Sequence, residues 1–121
     1  GNFVVEESKR AAIRMFSKDP PEAVFVANDH MAFAVLDTLR YDLGLKVPED
    51  VSVIGYDDVP AASWPSYSLT TVRQPVNQMV QETVNTLIEK IENPESTPRK
   101  IKIDGPLILR NSALIPKGWK K

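Results

Sequence analysis

Two short apolar runs dominate the hydrophobic pattern of the chain, one at 23–27 and one at 51–54 that only Ser52 interrupts. Runs of this kind are typical of β-strands that are covered on both faces of a parallel sheet. Between them, apolar residues recur at helical spacing as far as Gly44, a residue that suits the end of a helix. These residues are Met31, Val35, Leu36, Leu39 and Leu43. Strand, helix and strand in this order predict a βαβ unit with a parallel strand pair.

The rest of the chain continues the alternation of helices and strands. Helices are predicted at 4–17 and 76–92, strands at 69–72, 101–103 and 107–109, and a loop with a short helical turn at 57–68. The second of these helices has an apolar stripe, which by default belongs in the core. The predicted fold class is α/β, a parallel-sheet sandwich with flanking helices.

Composition narrows the classes of protein that remain. The chain has 121 residues, of which 42% are hydrophobic and 26% charged, as expected of one globular domain. A net charge of −1 argues against a free-standing nucleic-acid binder, which usually presents a basic face. The lack of cysteine excludes disulfides and thiolate zinc sites. No apolar run approaches the roughly 18 residues of a membrane span. We expect no signal peptide, and a chain without an initiator Met is expected to be a fragment or a processed product.

Polar residues follow both apolar runs at the edge of the sheet where the strands end. Asn28 and Asp29 come after the first run, and Asp57 and Asp58 come after the second, where Gly55 is expected to let the backbone turn. Ligands of open parallel sheets bind beyond this edge. Carboxylate and amide groups suit the hydroxyls of a sugar or a nucleoside, so Asn28 and Asp57 are the candidate ligand-binding residues. The alternative is that these residues only cap helices, including a short helix that would begin after Asp58.

An enzyme is the weaker interpretation. Consecutive carboxylates in an extended segment point in opposite directions, so Asp57 and Asp58 do not form an acid–base pair. The only histidine, His30, lies at a helix start, where a capping or exposed role is commoner than catalysis or metal binding. The sequence has no G-x-S-x-G, P-loop or G-x-G-x-x-G motif. We therefore expect neither a catalytic residue nor a metal or cofactor.

The loop before the third strand contains two large aromatic residues, Trp64 and Tyr67, close to Ala61 and Ala62. One interpretation is that they pack locally over the edge of the sheet. The other is that they form an exposed apolar patch for contact between subunits.

Three motifs together resemble the effector-binding domain of LacI/GalR-type transcriptional regulators. They are AVFVANDHMA at 23–32, VPEDVSVIGYDD at 47–58 and LTTVRQP at 69–75, and their order and spacing match the family as well. Periplasmic sugar-binding proteins share the fold and the Asn-Asp element but seldom contain the second and third motifs together. The resemblance covers nearly the whole chain and is most specific over 23–75.

The resemblance implies a two-lobed cytoplasmic sensor whose effector, a sugar or a related small polar molecule, binds between lobes that hinge together. The family positions that match Asn28 and Asp57 contact the effector, and 69–74 is similar to the crossover between lobes. The segment similar to 61–67 takes part in the contact of a two-fold symmetric homodimer. The residues concerned are Ala61, Ala62, Trp64 and Tyr67.

The chain lacks counterparts of the family's helix-turn-helix head and of most of its first lobe. By analogy, 1–121 is a partial effector-binding domain, in which 1–73 and 104–115 form the second lobe and 76–103 belong with the missing first lobe. We expect such a chain to bind neither operator DNA nor effector well by itself, since DNA is reached only through the absent N-terminal head. The stripe on the second long helix is then expected to be covered by another chain or by refolded packing.

Two other functions stay open on the sequence alone. A free-standing periplasmic sugar-binding protein would show a signal peptide on its full gene product, whereas an N-terminal helix-turn-helix would exclude it. A small α/β hydrolase or isomerase would need a catalytic cluster that the sequence does not provide.

Overall fold

The computed structural model describes residues 2–98 and 100–119, with side chains described from residue 4 onwards. The chain divides into two compact units. Unit 1 consists of Gly1–Arg73 and Leu107–Lys121, and unit 2 consists of Gln74–Pro106. The assignment of 76–103 to a different lobe stays a prediction.

The regular elements of unit 1 are α1 (Asn2–Phe16), β1 (Ala23–Phe25), α2 (Asp29–Asp37), β2 (Ser52–Asp57), β3 (Thr70–Arg73) and β4 (Leu107–Ile108). A π-helical turn at Thr38–Asp42 continues α2, and a short 3-10 helix at Pro60–Ser63 follows β2. The sheet has the order β1-β2-β3-β4, in which β1, β2 and β3 are parallel and β4 is antiparallel to β3. The predicted βαβ unit and the α/β fold class are confirmed.

Strand β2 is longer than its apolar run. It continues through Gly55 and ends at Asp57, so the expected turn at Gly55 is wrong. The reason is that Gly55 keeps its place in the ladder and pairs with Thr71 of β3. As a result, Asp57 is the last residue of a strand and does not belong to a loop.

The core lies between the sheet and the two helices α1 and α2. Gly55 faces α2, because a side chain built there would meet Asp29 and Ala32. Alternation along a strand places Val53 on the same face. The buried apolar residues of this layer form one cluster, which consists of Ala12, Phe16, Val26, Ala32, Phe33, Val35, Leu36, Leu39, Val51, Val53, Ala62 and Leu69.

The other face of the sheet is more open than the apolar runs predict. Phe25 of β1 is 61% exposed and Tyr56 of β2 is 39% exposed. Phe25 pairs with Ile54, so these side chains project away from α2. The prediction that the first strand is covered on both faces is therefore wrong, because β1 is an edge strand and α2 covers only the opposite face.

Unit 2 contains the long helix α3 (Val76–Glu92), and none of its side chains is buried. Val76 is 60% exposed and Ile91 is 69% exposed, so the default placement of the apolar stripe in the core is wrong. The predicted strand at 101–103 is also wrong. Among the described residues of unit 2, α3 is the only regular element, so no neighbouring strand is available for pairing. Within the described ranges, no helix is long and apolar enough to cross a membrane.

Candidate functional site

Asn28 and Asp57 lie at the same edge of the sheet, on neighbouring strands. Phe25 of β1 pairs with Ile54 of β2, and each candidate residue follows its strand's paired residue by three positions. Parallel strands end at a common edge, which is where open α/β sheets bind ligands. Both residues are half-buried. The structure therefore gives them the placement that the sequence predicts, whereas their contact with a ligand stays a prediction.

Asn28 also has a structural role. It is the N-cap residue of α2, and its side-chain Oδ1 accepts a hydrogen bond from the backbone N–H of Met31 at 2.9 Å. Its Nδ2 lies 3.2 Å from the sulfur of the same Met31. The capping alternative is thus confirmed for Asn28. A ligand at this edge would meet an amide whose orientation is already fixed by the helix.

Asp29 lies at the same edge, and the sequence suggested for it only a capping role. It is fully buried, and its two carboxylate oxygens accept two hydrogen bonds. Oδ2 accepts from the backbone N–H of Val59 at 2.9 Å, and Oδ1 accepts from the hydroxyl of Thr71 at 2.7 Å. One carboxylate therefore ties the start of α2 to the loop after β2 and to strand β3.

Asp58 forms the ion pairs of the site. Its Oδ2 lies 2.7 Å from Nε of Arg73, and its Oδ1 lies 2.8 Å from a terminal nitrogen of Arg110. The Asp58 side chain is only 6% exposed. The expectation that Asp57 or Asp58 caps the short helix is wrong, because Val59 occupies the N-cap position and that helix has no side-chain cap.

The two arginines determine the protonation of Asp58. Burial raises the pKa of this carboxyl group, but hydrogen bonds from Arg110 and Arg73, together with the charges of both, outweigh burial and hold the pKa below its ordinary value of 3.8. Asp58 is therefore charged under all ordinary conditions.

The lowered pKa predicts how stability depends on pH. A depressed carboxyl pKa contributes stability that is fully present above the unfolded pKa and is lost as pH falls through the folded pKa. We expect Asp58→Asn to lower the free energy of unfolding by about 1–2 kcal/mol near neutral pH, since a charged hydrogen-bond acceptor is lost. The difference from the unsubstituted chain should shrink as pH falls below about 4. Urea denaturation across this range measures it.

A matched control is Asp42→Asn, because Asp42 is an exposed aspartate on the π-helical turn. This variant should have the same free energy of unfolding as the unsubstituted chain near neutral pH. A difference for Asp58→Asn that stays constant from neutral to acid pH would contradict the ion-pair assignment.

The four candidate dimer residues divide between the core and the surface. Ala62 is fully buried, and Trp64 is 57% exposed. The ring of Tyr67 stacks on Phe33 with centroids 4.2 Å apart. Ala61 and Tyr67 are half-buried and pack against the core cluster. Local packing is thus confirmed for part of this loop, and contact with a second subunit stays a prediction.

The hydroxyl group of Tyr67 also lies close to the carboxylate of Asp37. Burial raises the pKa of its hydroxyl group, and the nearby charge of Asp37 raises it further. The hydroxyl donates a long hydrogen bond of 3.4 Å to that carboxylate.

Two cavities among the described residues are not lined by Asn28 or Asp57. A cavity of about 200 Å³ lies between α1, β1 and α2, and its lining is almost wholly apolar. Within unit 2, a groove of about 550 Å³ runs along α3 and is lined by Met79, Leu87 and Ile101, among others. Neither lining includes the polar residues of the edge, so the candidate site lies at the strand ends and not in these cavities. The described residues contain no group of acidic or histidine side chains that could hold a metal ion.

The residues that sequence reasoning missed are Asp29, Arg73 and Arg110. For Asp29, a signal was present in the glycine of the second motif, because a glycine inside a strand often marks a close approach by another group. The pairing of Asp58 with Arg110 had no such signal, since the two residues are far apart along the chain.

The family of the chain follows from its match to known proteins. Residues 2–113 match the model of the periplasmic binding protein-like domain, and the chain belongs to this family. Its relatives within the family are LacI-type transcriptional regulators, so the resemblance seen in the three motifs is confirmed.

Two curated repressors illustrate the sequence relationship. The HTH-type transcriptional repressor PurR of Vibrio vulnificus is 37% identical over 113 residues, which are 93% of this chain and 34% of the repressor. The ribose operon repressor of Escherichia coli K12 is 38% identical over 104 residues, which are 84% of this chain and 31% of that protein. The chain thus spans about a third of the length of these relatives.

Solved structures agree with the fold. A LacI-type transcription regulator from Bifidobacterium animalis subsp. lactis superposes with a TM-score of 0.80 at 32% identity, over 92% of this chain and 40% of that one. A LacI family regulator from Enterococcus faecium with bound ribose has a TM-score of 0.76 at 26% identity, over 90% of this chain and 40% of that one.

Proposed function

We propose that this chain is the effector-sensing and dimerisation part of a LacI-type transcriptional regulator that acts in the cytoplasm. The observation that carries the proposal is the common sheet edge of Asn28 and Asp57, in a chain that aligns over 93% of its length with a repressor. The relatives are repressors and not enzymes. The proposal accordingly assigns no catalytic role to any residue.

The effector is a small polyhydroxylated molecule of the sugar class. One relative is named for the ribose operon, and one solved neighbour contains bound ribose. A carboxylate such as Asp57 accepts hydrogen bonds from sugar hydroxyls, and each bond to a charged group contributes about 1.5–3 kcal/mol. The strand ends supply one side of the site, and a second lobe of the complete regulator supplies the other.

Effector binding is coupled to operator DNA through the complete regulator. Such coupling amounts to about 1–3 kcal/mol and is reciprocal, so DNA also changes the affinity for effector. DNA contact belongs to an N-terminal head outside this chain. The regulator is a homodimer, and the exposed Trp64 is the residue of the 61–67 loop best placed to reach a second subunit.

The proposal predicts the effect of Asp57→Asn. In the complete gene product, the substitution should weaken ribose binding by about tenfold or more, because a charged acceptor is lost. The midpoint of thermal unfolding should change little, because asparagine has nearly the same size and shape as aspartate and also adopts positive φ angles. Isothermal titration calorimetry with ribose, and with glucose and sucrose as further probes, measures the affinity.

The control for this experiment is again Asp42→Asn, which should bind as the unsubstituted protein does. Equal affinities of the Asp57→Asn variant and the unsubstituted protein for every sugar that binds would contradict the assignment of Asp57.

A further inference from the structure

Strand β2 ends in an unusual backbone conformation. The φ angles of Asp57 and Asp58 are 136° and 62°, both positive and both at residues other than glycine. A side chain at Cβ disfavours this region, so two such residues in succession persist only when their surroundings hold them. The direction in which the Asp57 side chain leaves the strand depends on this conformation.

The surroundings of this segment include the ion-pair partners of Asp58. Arg73 is the last residue of β3 and is the register partner of Asp57, so the ion pair of Asp58 closes back onto the strand beside Asp57. Arg110 follows β4, and its side chain is only 16% exposed. The carboxylate of Asp58 therefore joins the ends of three different strands.

Arg110 is a rigid partner because it has further bonds to β3. Its terminal nitrogen donates to the carbonyl oxygen of Leu69 at 2.9 Å, and its backbone N–H donates to the hydroxyl of Thr70 at 2.9 Å. Because these two bonds hold Arg110 independently of Asp58, it cannot follow Asp58 if the loop moves. Movement of Asp58 would instead separate its negative charge from the positive charge of Arg110, at a site that little water reaches.

We propose that Asp58 is the positioning residue of the effector site. By holding Arg73 and Arg110, it fixes the backbone at Asp57 and so the direction in which the Asp57 carboxylate is presented. This inference rests on the proposed function, since Asp57 is an effector contact only if the chain senses an effector. Asp58 itself touches no effector and acts only through its neighbour.

Two substitutions separate the ion pairs from the backbone conformation. Both Asn and Gly tolerate a φ of 62°, so Asp58→Asn and Asp58→Gly remove the carboxylate without adding backbone strain. If the ion pairs of Asp58 had no effect on Asp57, the backbone conformation of Asp57 would be the same in both variants as in the unsubstituted chain. If the ion pairs hold this conformation, Asp57 should lose it in both variants.

The direct measurement is made by NMR on the 121-residue chain. The three-bond coupling between the amide and α protons is small for a φ near 136° and large in an ordinary extended strand. In both Asp58 variants, we expect the coupling of Asp57 to rise and the Nε–H resonance of Arg73 to shift. In Asp42→Asn, both signals should stay unchanged. An unchanged Asp57 coupling in both Asp58 variants would overturn the proposal.

Ribose binding by the complete gene product separates this inference from the proposed function. We expect Asp58→Asn to bind ribose about tenfold more weakly, as Asp57→Asn does. If Asp57→Asn loses affinity and Asp58→Asn does not, the positioning role is overturned and the proposed function stands. If ribose does not bind even the unsubstituted protein, or binds both it and Asp57→Asn equally, the effector assignment fails. The NMR coupling then still decides whether Asp58 positions Asp57.

Discussion

Replacing Gly55 by alanine should destabilise unit 1 by about 3 kcal/mol, the upper part of the range for an overpacked core. A Cβ atom at this position would lie 2.4 Å from Oδ1 of Asp29 and 2.8 Å from Cδ2 of Leu69. The Asp29 oxygen cannot move aside freely, because it accepts the hydrogen bond of Thr71. The clash must therefore be relieved by shifting α2 away from the sheet. Urea denaturation of the variant and of the unsubstituted chain measures the difference.

The control for this substitution is Gly44→Ala. Gly44 has a positive φ of 64°, and a Cβ atom there would meet nothing within 4 Å. Alanine at Gly44 should cost only about 1 kcal/mol, from backbone strain alone. A cost for Gly55→Ala no greater than that for Gly44→Ala would contradict the close approach of Asp29 to β2.

Replacing Asp29 by alanine should also destabilise unit 1 by about 3 kcal/mol. The substitution removes two hydrogen bonds to a charged acceptor and leaves the N–H of Val59 and the hydroxyl of Thr71 without their partner. Asp29→Asn should be milder, at about 1 kcal/mol, because its amide oxygen still accepts from Val59 and its NH₂ group donates to the Thr71 oxygen. Denaturation gives these free energies, and hydrogen exchange at the Val59 amide reports the bond itself.

The double variant Gly55→Ala/Asp29→Ala tests whether the two effects share a cause. Removing the Asp29 side chain takes away the group closest to the new Cβ atom. The double variant should therefore lose less stability than the sum of the two single variants, by about 1 kcal/mol or more. Strictly additive losses would show that the two residues act independently.

The pattern of apolar residues was sufficient for most of unit 1. Helical spacing predicted α1 and α2, and two apolar runs joined by a helix predicted the parallel pairing of β1 with β2, because both signals are local in the sequence. It failed in unit 2, where the stripe of α3 has the same periodicity but is exposed. Periodicity shows which face of a helix is apolar, and it cannot show whether the described chain covers that face.

The candidate site was predictable in position and not in detail. Asn28 and Asp57 were found because both follow apolar runs, and strand ends are local features. The burial of Asp29 depends on Thr71, and the ion pairs of Asp58 depend on Arg110. These contacts join residues that are distant in sequence, so no local pattern records them. Asp57 and Asp58 are adjacent and look equivalent in the sequence. Their different surroundings become visible only in the assembled sheet.

The order of residues in unit 1 has a consequence for synthesis. Strand β4 and Ser112 come after the whole of unit 2 in the chain. Ser112 is fully buried; its hydroxyl donates to the carbonyl of Val53 and accepts from the backbone N–H of Thr70. A nascent chain therefore leaves these strands incomplete until the residues of unit 2 have been translated. During that interval, their apolar surface is exposed to water and to chaperones. This holds even though chains commonly fold from the N-terminus onwards as they emerge.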